Sequence, residues 1–196
     1  MWMRGVAVRP VPPSARLTRS SLEAVARELW GSEDTKLPPL YRRFEAQQPA
    51  LASHIRGLLA RNMDNVARAM GTYLTVCVWS AFRETFGGKL GTVPPEAILA
   101  TEEALKVEDE LRRSHADEPL DLDDVVLREQ PEVVGWVHEQ VDAITEVDED
   151  DGRAVDVDDL HFVYRTILAL VLSLSYAVKG DAGGQTGPGR QGEIEA

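Results

Sequence analysis

The stretch Asp148 to Asp159 reads D-E-D-D-G-R-A-V-D-V-D-D, and the chemistry such side chains support best is the gathering of oxygens around a hard cation. Between Asp142 and Asp159 nine carboxylates stand against one base, Arg153, so this segment carries −8 of the chain's net −12. Other constellations offer less. His54, His115, His138 and His161 lack the spacing of a zinc site, and no Glu-x-x-His pair suggests a di-iron centre. Gly87-Gly88-Lys89 lacks the strand and the Ser/Thr of a phosphate loop and reads as a helix stop. Ser173 and Ser175 lie in an apolar run where their hydroxyls bond back to the preceding turn. The lone Cys77, among Leu74, Val78 and Ala81, reads as a buried structural thiol in a reducing compartment.

The acidic stretch resembles an EF-hand calcium loop, with Asp148 in the first position, Asp150 in the third, Val155 in the apolar eighth, Asp156 in the ninth and Asp159 in the last. The resemblance implies calcium as the ligand, held by Asp148, Asp150, Asp156 and Asp159. It also departs from that pattern. Gly152 puts no side-chain oxygen in the fifth position, Arg153 replaces the turn glycine of the sixth, and Asp159 replaces the longer bidentate Glu. The competing expectation is that Asp156 or Asp158 caps the following helix, whose positive N-terminus favours acids.

At the other end of the chain the charge reverses. The first twenty residues hold Arg4, Arg9, Arg16 and Arg19 with no acid, and Pro10, Pro12 and Pro13 predict an extended, disordered arm over 1–19. Trp2, Arg4 and Arg9 are the candidate interaction residues, because nothing local would bury that indole and the arginines could dock on an acidic surface. The net negative charge argues against nucleic acid as a partner. The longest apolar run, Thr166 to Val178, falls short of the roughly 20 residues a bilayer requires, so no membrane association is expected. The N-terminus lacks the apolar run of a signal peptide, and the expected location is the cytoplasm.

The elements that would position these residues are all helical. Helical spacing marks Leu22, Val25, Ala26 and Leu29, then a short helix from Pro38 through Phe44, then a long one from Pro49. Gln48-Pro49 and Gln130-Pro131 open similar stretches: Leu51, Ala52, Ile55 and Leu59 in the first match Val133, Val134, Val137 and Val141 in the second. Each leads into a more apolar helix, Val66 to Phe86 and about Val157 to Lys179. The pattern predicts an all-α bundle of two related units, 20–92 and 119–180, the second carrying an acidic loop over 142–159. A charged helix over 93–118 would link them, and a glycine-rich tail, 181–196, would follow. The expected function is non-catalytic: a scaffold or adaptor acting on a protein partner or on itself as a homo-oligomer. Two alternatives stay open, a weak calcium module using the acidic loop and an enzyme with its site between the units.

Overall fold

The structure, a computed structural model, describes residues 8–30, 36–114, 123–151 and 155–180, with side chains over 8–30, 36–110, 126–144 and 155–180. The described residues are mostly helical and form eight α-helices with no strand. In chain order these are α1 (Arg19–Trp30), α2 (Leu37–Gln47), α3 (Pro49–Leu59), α4 (Asn65–Phe86), α5 (Pro95–Ser114), α6 (Asp123–Glu129), α7 (Pro131–Asp151) and α8 (Val157–Ala177).

Local chemistry sets most of these bounds. Pro49, Pro95 and Pro131 each occupy a first helical position, where the missing N–H costs nothing. Asp64 caps α4, its Oδ1 accepting from the amides of Val66 (2.6 Å) and Ala67 (3.3 Å). Arg68 then ties off the preceding corner by donating to the carbonyls of Leu59, Arg61 and Met63, groups that the end of α3 would otherwise leave unpaired. At the far end, Gly87 takes a φ of 52°, a backbone state that side-chain-bearing residues resist, and its N–H returns to the carbonyl of Arg83.

The core is built around α4 and α8, which lie side by side and run the same way. Near their starts, Gly71 sits so close to Leu59 and Val163 that an added Cβ would lie 2.7 Å from one Leu59 methyl. Beyond their ends, Leu90 and Val178 pair as an isolated antiparallel bridge, with Gly91 N–H donating to Ala177 O and Lys179 N–H to Lys89 O, both at 2.9 Å. By length and composition α8 could cross a membrane, but 72% of its most apolar window is buried inside the fold, as in the central helix of a bundle. Trp79, Phe44 and Phe82 are fully buried around α4, and the Phe44 and Trp79 rings lie 5.5 Å apart.

Two expectations change here. The arm expected to be disordered over 1–19 is docked from Val8 onward, because Val8, Val11, Ala15 and Leu17 all bury their side chains in the core. The loop expected over 142–159 is helical through Asp151, as α7 continues past the last apolar turn. The charged helix α5 is laid against α8 and α3 through buried Ile98 and Leu105. The tail 181–196 lies outside the described residues.

Candidate functional site

The four proposed calcium ligands fall on two helices. Asp148 and Asp150 belong to the last turns of α7, and their side chains lie outside the described residues. Asp156 is the N-cap of α8, its Oδ1 accepting from the amide of Asp158 at 2.9 Å. Asp159 reaches across to the α3–α4 corner, where its Oδ2 accepts from the amide of Asp64 at 2.6 Å. Both carboxylates therefore serve backbone N–H groups, at two different helix starts. Among the described residues no group of three or more His, Cys, Asp or Glu is arranged to hold a metal ion. Close to this corner the Arg61 guanidinium lies 4.0 Å from the centre of the Phe162 ring.

A more elaborate site surrounds the arm. Of the three candidate interaction residues, Trp2 and Arg4 lie outside the described residues, whereas Arg9 is engaged within the chain. Its guanidinium sits 4.3 Å from the Tyr176 ring centre and its carbonyl accepts from the Tyr176 hydroxyl. Further along, the amide of Val11 donates to Glu129 Oε2 at 2.8 Å, and Arg16 approaches the same oxygen at 3.9 Å. The buried Gln130 side chain then grips the backbone on both sides of Arg16: Nε2 donates to Ala15 O at 2.8 Å and Oε1 accepts from Leu17 N–H at 3.1 Å. The second Nε2 proton goes to Ser175 Oγ at 2.8 Å. At the end of the arm, Arg19 pairs with both oxygens of Glu139, and this bond holds the Glu139 carboxyl below its ordinary range. The basic arm thus meets its acidic complement on α6 and α7 of the same chain.

Glu129 and Tyr176 carry no signal in the sequence, and Gln130 stands out there only as the start of a repeated stretch. The one available signal was the repeated Gln-Pro dipeptide, which marks a helix junction but does not reveal what the amide holds.

The remaining reactive groups are restrained. Burial pushes the Cys77 thiol up to about 12, so the thiolate needed for nucleophilic or redox chemistry is not populated at neutral pH. His54 meets Glu102 at 2.7 Å between α3 and α5, and His138 stacks on Tyr164 with ring centres 4.8 Å apart. His161 is exposed on α8, and His115 lies outside the described residues. Comparison of the chain with protein-family models, with curated proteins and with solved structures found no match.

Proposed function

We propose that this chain is a non-catalytic cytoplasmic protein, built from two related helical units, that works by associating with a second copy of itself. The observation that carries the reading is Trp30, which ends α1 with 84% of its surface in solvent. Tryptophan is highly buried on average, and an exposed indole is the side chain most often found anchoring a protein interface. Leu99 and Val157 are exposed at 62% and 72% as well. Support also comes from Cys77, whose burial suits a reducing compartment and no thiol chemistry. Trp2 and Arg4 belong to the proposed contact alongside Trp30, whereas Arg9 is spent on Tyr176.

Light scattering across a concentration series, at low and high salt, tests this. The wild-type mass rises from one chain toward two, and Trp30→Glu weakens the dimer by at least tenfold. A wild-type chain that stays monomeric at every concentration and ionic strength contradicts the reading.

A further inference from the structure

Gln48 and Gln130 occupy equivalent places. Each is the single residue between two helices, α2 and α3 or α6 and α7, and each is followed by a proline at the first helical position. Their own backbones bond alike, with Gln48 N–H to Phe44 O and Gln130 N–H to Val126 O, four residues back in both cases. The residues that follow are buried in register: Leu51, Ala52 and Ile55 in one, Val133, Val134 and Val137 in the other.

The equivalence extends to the side chains. Gln48 Nε2 donates to Gly91 O at 2.9 Å and its Oε1 accepts from Val93 N–H at 2.8 Å. Gln130 does the same to Ala15 O and Leu17 N–H. Both amides therefore hold a segment outside the α-helices by the carbonyl of one residue and the N–H of the residue two further on. In both segments a helix starts two residues after the gripped N–H, α1 at Arg19 and α5 at Pro95.

The packing shows the same exchange. α1 lies on α4 and α7, and α5 lies on α8 and α3. α3 touches α8, and α7 touches α4. α2 pairs with α3, and α6 pairs with α7, while α4 and α8 meet each other. Replacing α1–α4 by α5–α8 leaves this scheme intact, and α2 makes an added contact with α4.

We infer that the chain consists of two four-helix halves, α1–α4 and α5–α8, latched reciprocally: Gln48 of the first half holds the leader of the second (91–93), and Gln130 of the second holds the leader of the first (15–17). This places α5 in the second half as the counterpart of α1. The latches act through buried amides, Gln48 at 2% exposure and Gln130 at 0%, where an unpaired polar group is costly and the geometry fixes which amide atom faces which backbone group. The docked arm is thereby part of the second half's core. The inference rests on the reading of two related units. It is tested separately from self-association, because light scattering reads the dimer and hydrogen exchange reads the latches.

Residue-resolved amide exchange on the full chain gives the test. Gln130→Ala speeds exchange at Leu17 by at least tenfold more than at Val93, and Gln48→Ala speeds Val93 by at least tenfold more than Leu17. An effect on only one of the two leaders, or equal loosening of both by either substitution, overturns the reciprocal latch. Should either variant fail to fold, the wild type decides. Slow exchange at both Leu17 and Val93, on the order of a thousandfold below the open-chain rate, supports the inference. Exchange at the open-chain rate at either amide overturns it.

Discussion

At the scale of single residues, Asp156 and Asp159, two of the four groups that resembled a ligand set, accept hydrogen bonds from backbone N–H groups. Asp156 satisfies the first turn of α8, so Asp156→Ala costs about 1 kcal/mol of stability. Thermal unfolding shows this loss equally with millimolar calcium and with chelator; a loss seen only with calcium would return the segment to cation binding. Cys77, raised to about 12 by burial, stays unmodified by a thiol reagent in the native protein and reacts on denaturation, as the change in absorbance on labelling reports. Tyr176 carries a pH signature. Burial lifts its hydroxyl from 10.0 to about 12, which favours the neutral phenol in the folded state. A group whose folded pKa is raised contributes stability that is present below its unfolded value and lost as pH rises through the folded one. Wild-type stability therefore falls between about pH 10 and 12, and denaturant titration shows a shallower fall in Tyr176→Phe.

Element by element, the helices were readable because their apolar residues recur at helical spacing and their starts carry Pro or Asp. The wide stripe of Met70, Leu74, Cys77, Val78 and Phe82 foretold a helix packed on more than one side, and α4 meets α8, α1 and α2. The docked arm was not readable, since Val8, Val11, Ala15 and Leu17 sit among Pro10, Pro12 and Pro13, which preclude a regular helix whatever the apolar spacing. Its anchors lie 113 to 167 residues away, a distance that local pattern does not cover. The acidic end of α7 misled for a related reason: a run of carboxylates looks the same whether the backbone beneath is loop or helix. Gly71 is the test of the packing between α3 and α4. Gly71→Ala pushes a methyl into Leu59 and loses about 1–2 kcal/mol, since overpacking outweighs the gain in helix propensity. In a Leu59→Ala background the same change becomes neutral or stabilising, and a double-mutant cycle by denaturant unfolding measures the coupling. Equal losses in both backgrounds would mean that the two side chains do not compete for that space.

Over the whole molecule, the proposed reciprocal latch would redraw the edges of the units expected over 20–92 and 119–180. Each half would begin with a leader that its own half does not hold, and α5 would become an element of the second half. Neither half then completes its core alone: Gln130 lacks its backbone partners without residues 15–17, and Gln48 lacks its own without 91–93. Two buried amides left unpaired would each cost about 1–3 kcal/mol, a large part of the 5–15 kcal/mol that typically holds a domain together. Reciprocal latches therefore require that the halves melt together. Scanning calorimetry on the full chain, at a concentration and salt where light scattering finds a monomer, tests this most directly. The expected result is one transition whose calorimetric and van't Hoff enthalpies agree. Two resolved transitions, with one half persisting after the other has unfolded, would contradict it.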